Sequence, residues 1–295
     1  MVDFLKYRFA CAVYSVCLIA AFAGTYFYKA HTRGQAFTYS IDFTGGTQVL
    51  LKFDKPIHSN SVKEAVERAG WAGAVIRDFS PQELGVRVKE FSNDAKGLGE
   101  RIAQAVQEAM PDAGVSLQES EGVGAGVGAT LRSKSLQAVL MGLLAMLLYI
   151  AIRFWSFAFA MGAIIALAHD AVVILAAFLF LDKEVSINLI GAILAVLGYS
   201  VNDTIVIFAQ IRDNLKKMAG SPLSEIVNLS INQTLRRTIL TSFATALTAA
   251  SMFILGGEVL RDFSLALLIG IVFGTYSSIY IASPVMMLLY KEKKK

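Results

Sequence analysis

Charge is scarce in this chain: Asp, Glu, Lys and Arg make up 17% of its 295 residues, against 55% hydrophobic residues and a mean hydropathy of +0.56. That balance excludes an ordinary soluble domain and identifies an integral membrane protein. Cysteine is nearly missing. Cys11 and Cys17 lie six apart in the first apolar run, which rules out a disulfide framework and a metal-spacing motif and leaves them as small packing residues. The chain also lacks a Walker A run, a nucleophile elbow and any cluster of metal-ligand spacing, so no enzyme, cofactor or metal is expected. A pI near 9.0 raises the question of nucleic acid, but the basic residues fall mostly at the ends of apolar runs, where they set topology. No nucleic-acid partner is expected.

Six apolar runs are long enough to span a bilayer, at about residues 9–28, 136–152, 157–181, 186–210, 238–255 and 263–290. With the amino terminus in the cytoplasm, the inner loops collect Lys6, Arg8, Arg153, Arg212, Lys216, Lys217, Arg236, Arg237 and the lysines of 291–295. The short outer loops receive only Lys183 and Arg261. This asymmetry predicts cytoplasmic termini and a multi-pass protein of the cell (inner) membrane. The organisation expected is a first transmembrane helix (1–28), an extracytoplasmic domain (29–135), a five-helix membrane domain (136–290) and a basic cytoplasmic tail (291–295). Lys6 and Arg8 before an apolar stretch ending Ala21-Phe22-Ala23 resemble a signal peptide. The run continues through Thr25-Tyr26-Phe27-Tyr28, whose aromatic rings suit a retained anchor at the outer interface.

Polar residues inside the spans are the functional clue. Asn202 and Asp203 interrupt the fourth run, and His169 and Asp170 the third. A carboxylate in hydrocarbon costs roughly 2.5 to 3.5 kcal/mol, so it persists where it faces the bundle, pairs or handles protons. Gly191, Ala195, Gly198 and Asn202 form a small-residue stripe at helical spacing, as do Gly162, Ala166, His169 and Val173. Such stripes let helices approach closely and predict that both acids face the bundle interior. His169 reads equally as an interhelical hydrogen-bonder or a relay, and Asp170 as a helix tie or a proton carrier.

The outer stretch reads strand, helix, strand, strand, helix, strand. Residues 37–43 and 47–53 are β-rich around Gly45-Gly46, a pair that permits positive φ at a turn or bulge. Residues 59–69 are a helix that Ser61 can cap, with Glu64 three on and Gly70 ending it. Strands at 74–79 and 84–90 follow, joined by Ser80-Pro81-Gln82-Glu83. A second helix opens at Asn93 or Asp94, with Leu98, Ile102, Ala105, Val106 and Ala109 at helical spacing, and a strand at 115–118 closes the unit. The fold class expected is therefore an α-helical polytopic membrane protein with six transmembrane helices and an α+β ferredoxin-like (βαββαβ) domain between helices 1 and 2. Gly122, Gly124, Gly126 and Gly128 then lead into the second span. They satisfy a loose dinucleotide fingerprint, but no βαβ unit accompanies it, and a flexible tether is the reading adopted.

Several segments resemble the SecF family. They are Asp42-Phe43-Thr44-Gly45-Gly46-Thr47, Val123-Gly124 through Val127-Gly128 with Leu131-Arg132, His169-Asp170, Gly198 through Phe208, Gln233 through Thr238, Leu255 through Phe263, and Gly274 through Tyr280. They run in order over nearly the whole chain. The resemblance implies an accessory subunit of the Sec protein-export machinery, related to the resistance-nodulation-division transporters. It implies SecD and the SecYEG channel as partners, with protons driving outward movement of an unfolded secretory polypeptide. The family's Asp-Arg-Ile-Arg-Glu-Asn stands here as Ala209-Gln210-Ile211-Arg212-Asp213-Asn214, so a local ion pair is expected to be absent. Ala125 also replaces a frequent proline.

Arg237, at the entry of the fifth span, adds a switch: close to Asp203 it favours the ionised acid, and moving away lets the acid take a proton. Arg236 and Arg237 read alternatively as topology anchors. Two other function classes compete with an energy-coupled export subunit. Half of a resistance-nodulation-division exporter of small molecules or lipids would need a duplicated half that is not here. A passive scaffold has no use for buried acids.

Overall fold

The computed structural model describes residues 2–290; the basic tail expected at 291–295 lies outside the described residues. In chain order the elements begin with α1 (Arg8–Arg33), α2 (Ile41–Thr44), β1 (Gly46–Phe53), α3 (Ser59–Arg68), β2 (Val75–Ser80), β3 (Glu83–Val88), α4 (Ala95–Ala109) and β4 (Val115–Val123). They continue with α5 (Ala125–Phe154), α6 (Phe157–Phe180), α7 (Ile187–Lys217), α8 (Leu223–Leu255), α9 (Gly257–Ser277) and α10 (Ser283–Leu289). The chain forms two compact units: Tyr39–Leu136 is one, and the residues before and after it make the other.

The second unit is a bundle of helices. Six helical segments among the described residues are long and apolar enough to cross a membrane, matching the six expected runs, and the protein is a multi-pass membrane protein. The last span joins α9 and α10 through a π turn, Ser278–Ala282. Several ends differ from expectation. α1 runs past Tyr28 to Arg33, and α5 starts at Ala125 rather than 136. α8 starts at Leu223 rather than 238, because Ile226, Val227 and Ile231 recur at helical spacing and bury one side of a polar helix that is continuous with the span. α6, α7 and the α9–α10 span bury half or more of their apolar length, whereas α1, α5 and α8 bury less than a fifth. The first three are the core on which the polar groups are hung.

Close approach within that core is made by glycine. A Cβ on Gly270 of α9 would lie 2.3 Å from Val196 of α7, one on Gly274 3.0 Å from Ser200, and one on Gly162 of α6 2.6 Å from the Ala282 carbonyl. The stripe of α6 expected to face the interior does so: Gly162, Ala166, His169 and Val173 are buried. The stripe of α7 does not. Gly191, Ala195, Gly198 and Asn202 are exposed, and no atom lies within 4 Å of a Cβ built on either glycine. The opposite face, with Val196, Ser200, Asp203 and Thr204, packs inward instead, because the small residues that admit α7 are supplied by α9.

The Tyr39–Leu136 unit has the βαββαβ order expected, on one antiparallel sheet ordered β2-β3-β1-β4. Alternate residues Val49, Leu51 and Phe53 of β1 point to a core completed by Leu84, Val86 and Val88 of β3 and by Val62, Val66, Leu98, Ile102 and Val106 of the two helices. Two local expectations fail. Residues 37–43 are not a strand: the Ser40 carbonyl accepts from the Phe43 and Thr44 amides and closes the helical turn α2. Ser61 does not cap α3, which begins at Ser59 after His58 without a side-chain cap, while Glu64 is spent on Arg68 at 2.7 Å. Asp94 does cap α4, accepting from the Gly97 amide. β4 runs on to Val123, well past 118, because it pairs with β1 as far as Gly46.

Candidate functional site: two carboxylates in the helical unit

Asp170 of α6 is fully buried. Its Oδ2 accepts from Ser200 Oγ of α7 at 2.6 Å and from Ser277 Oγ of α9 at 2.9 Å, and its Oδ1 faces His169 Nδ1 at 3.3 Å. Short hydroxyl-to-carboxylate bonds of this kind are strong and directional. The Nε2 atom of His169 is buried without a hydrogen-bond partner among the described residues, and the ring lies 6.1 Å from that of Tyr276. The Tyr276 hydroxyl donates to the Cys11 carbonyl at 2.7 Å, which ties α9 to α1.

Asp203, 3% exposed, lies on α7 one turn beyond Ser200. Its Oδ2 has a long contact with Ser242 Oγ of α8 at 3.4 Å, and Thr275 of α9 offers the carboxyl a second hydroxyl. The Ser242 hydroxyl is shared: Thr275 Oγ1 of α9 is 2.8 Å away and Tyr199 OH 3.3 Å away. Asp203 makes no ion pair among the described residues. Two residues of distance in sequence between Thr275 and Ser277 thus separate the two acid sites on α9, and the π turn begins directly after them. There Ser278 Oγ meets Thr204 Oγ1 at 2.8 Å, and the freed Ser278 carbonyl is taken up by Ser283 Oγ at 3.0 Å. A π turn of this kind often marks a functional position in a helix.

The other expected site residues divide. Arg237 and Arg236 are both exposed on α8; Arg237 makes no ion pair among the described residues, and its charge acts on Asp203 only through space. Asn202 faces away from Asp203, since neighbours on a helix point about 100° apart. At the same end of α7 a neutral amide cluster joins it to α8: Gln210 and Asn214 both donate to Gln233 Oε1, at 2.7 and 2.8 Å.

In the sheet unit, the glycine-rich motifs come together. Gly45 and Gly46 have φ of +74° and +110°, which sidechain-bearing residues rarely adopt, and a Cβ on Gly45 would lie 2.7 Å from Ala125. A Cβ on Gly128 would lie 3.1 to 3.2 Å from the backbone of Asp42, Phe43 and Gly45. Asp42 accepts from Ser40 Oγ at 2.8 Å, and Thr44 Oγ1 donates to the Ser40 carbonyl. Of the expected tether, Gly122 belongs to β4 and Gly126 and Gly128 to the first turn of α5, so that Gly124 alone lies between strand and helix.

Comparison with known proteins decides the family. Residues 102–292 match the model described as protein export membrane protein SecD/SecF, C-terminal, and residues 34–57 the SecD/SecF GG motif. The protein translocase subunit SecF of Vibrio alginolyticus is 37% identical over 99% of this chain and 91% of its own length. The chain belongs to the SecF family. The SecF of Pseudomonas aeruginosa is 39% identical over 91% of this chain and 88% of its own. The crystal structure of SecDF, a translocon-associated membrane protein from Thermus thermophilus, is 37% identical with a TM-score of 0.85 over 97% of this chain. SecDF in its super-membrane-facing form gives 0.69. This chain spans 38% of the length of that SecDF.

For this SecF-family chain, Asp170 and Asp203 were legible from the sequence, but the hydroxyls that hold them were not. Ser200, Ser242, Thr275 and Ser277 are single small polar residues in apolar runs, and serine in a span usually bonds its own helix, as Ser264 does to Leu260 here. For three of them the usable signal was position within the matching segments: Ser200 lies three residues before Asp203, and Thr275 and Ser277 share one turn, whereas Ser242 lies outside those segments.

Proposed function

We propose that this chain works with SecD on the SecYEG channel, drawing secretory polypeptides outward at the expense of the proton gradient, with Asp203 as the acid that takes and releases the proton. The observation that carries the assignment is the contrast between the two carboxylates. Asp170 is gripped by two short hydroxyl bonds from two other helices, whereas Asp203 has a long 3.4 Å contact with Ser242, a second hydroxyl from Thr275 and no ion pair among the described residues. An oxygen at that distance is weakly bound and open to exchange. Asp170 serves as the tie among α6, α7 and α9. Arg237 carries a permanent charge on α8, and moving α8 against α7 changes its distance from Asp203. One proton crossing 100 mV supplies about 2.3 kcal/mol, enough to drive a small rearrangement of packed helices.

The exposed stripe of Gly191, Ala195, Gly198 and Asn202 supports the partner assignment. A small-residue face on a span with no neighbour in its own chain suits close approach by a helix of a second subunit. The Tyr39–Leu136 unit, with Gly124 as its joint to α5, stands on the outer side in this reading, and both termini are cytoplasmic.

Asp203→Asn keeps the shape and loses the titration. Gradient-stimulated export should fall while membrane insertion and protein level persist, with SecD present. Full gradient-stimulated export by this variant would falsify the coupling role.

A further inference from the structure

We propose that the cavity at the α5–α6 turn binds the phosphate headgroup of an anionic glycerophospholipid. The cavity encloses about 750 Å³ and is lined by Phe154, Trp155 and Phe159 on one side and by Arg212, Lys216 and Tyr290 on the other. Arg212 and Lys216 are one turn apart on α7 and therefore share a face. Arg212 has one counter-charge, at the limit of an ion pair. The Nε atom of Arg212 is buried and makes no hydrogen bond. The nearest carboxylate, Asp213 Oδ1, lies 4.0 Å from it on the adjacent residue, and one terminal nitrogen reaches only the Arg153 carbonyl, at 3.5 Å. Lys216 makes no ion pair among the described residues. The Arg212 side chain is 33% exposed at the cavity, and a charged donor nitrogen left without an acceptor there favours a ligand that supplies one.

The cations accumulate there rather than cancel. The guanidinium groups of Arg212 and Arg153 lie 5.4 and 5.6 Å from the centre of the same ring, Phe154, which is stacked on Phe159 at 5.3 Å. Three basic residues against one acid call for an anion, and a planar guanidinium beside an ammonium matches phosphate oxygens.

The mouth chooses between a soluble anion and a lipid. Trp155 is 90% exposed and Phe157 72% exposed, on the turn between two spans, at the level where aromatic side chains meet headgroups. Trp155 holds a left-handed conformation, φ +49°, as it ends α5, a strained backbone of the sort retained around ligand sites. Cations beside exposed apolar rings describe an amphiphile: a phosphate on Arg212 and Lys216 and acyl chains along Trp155 and Phe157. Basic pockets between membrane helices bind acidic headgroups for this reason.

Trp155 is one of two tryptophans, so Trp71→Phe leaves it as the only reporter. The full chain in nanodiscs of phosphatidylcholine is given increasing fractions of brominated phosphatidylglycerol or brominated phosphatidylcholine, and quenching of Trp155 is followed. Brominated phosphatidylglycerol should quench at a much lower mole fraction. Arg212→Gln with Lys216→Gln should cut that preference about 25-fold, at roughly five-fold per basic group, while Lys216→Arg should keep it and shows that the surface tolerates change. Equal quenching by the two lipids, or an unchanged preference in the double variant, overturns the proposal. So does inorganic phosphate, if it shifts Trp155 emission in neutral micelles as far as phosphatidylglycerol does, for then the site is one for a free anion.

Discussion

Ser200 donates to Asp170 at 2.6 Å, and the same helix carries Asp203 one turn further on. A displacement of α7 therefore acts on both carboxylates, on one through a short bond and on the other through a long contact to Ser242. The arrangement holds one acid by short bonds and the other by a long contact within a single helix seam, because Gly274 allows α9 to approach Ser200 closely enough for Ser277 to reach the same carboxylate oxygen as Ser200.

If Asp170 is the tie, removing its donors costs stability before it costs coupling. Ser200→Ala and Ser277→Ala should each destabilise the helical unit by roughly 1–3 kcal/mol, the cost of a buried acceptor left short of a bond. Thermal unfolding in detergent checks this. Midpoints unchanged in both variants would mean that the carboxylate is not held by them.

The two arginines of α8 should separate by function. Arg237→Lys retains the charge but loses the planar fork, and it should impair export more than Arg236→Lys does. Equal and negligible effects from the two would reduce Arg237 to a topology anchor.

Glycines on the two faces of α7 and α9 make opposite predictions. Gly270→Ala puts a methyl group 2.3 Å from Val196 and should destabilise the isolated chain. Gly198→Ala meets nothing within 4 Å and, by helix propensity, should leave the chain as stable or up to about 1 kcal/mol more so. Gly198→Leu should keep that stability and weaken association with SecD, measured by co-purification. Undiminished association would remove the stripe from the partner interface.

Glu121 gives the sheet unit a pH dependence. Surrounding protein strips water from its carboxyl, and the nearby charges of Glu119 and Asp42 add to the effect, raising its pKa above the ordinary 4.5. The folded state thus binds this proton more tightly than the unfolded chain does, so its contribution favours folding at low pH and is lost as pH rises above 4.5 through the raised value. Glu121→Gln should flatten that slope and protect the β1–β4 pairing at neutral pH. Hydrogen exchange of the β4 amides in the full chain, compared at pH 5 and pH 7 after correction for intrinsic rates, reads the difference. A variant with the wild-type slope would show that Glu121 does not carry it.

The local signals were sufficient for the elements. Six spans, the βαββαβ order, the cap at Asp94 and the positive φ at Gly45 and Gly46 depend on runs of hydropathy, on periodicity and on backbone freedom, all of which reside in a few adjacent residues. Both acids were legible for the same reason, since a carboxylate in an apolar run is conspicuous. The choice of face was not. The two sides of α7, one with Gly191 and Gly198 and the other with Val196 and Ser200, are both small and apolar, and only the matching glycines of α9 decided which turned inward. Tertiary contacts also closed the turn at Ser40 where strand residues stand, and gathered Ser200, Ser242, Thr275 and Ser277 from three helices around two carboxylates. A hydroxyl carries no sign of its distant acceptor in its own neighbourhood, so those contacts exist only once the helices have packed.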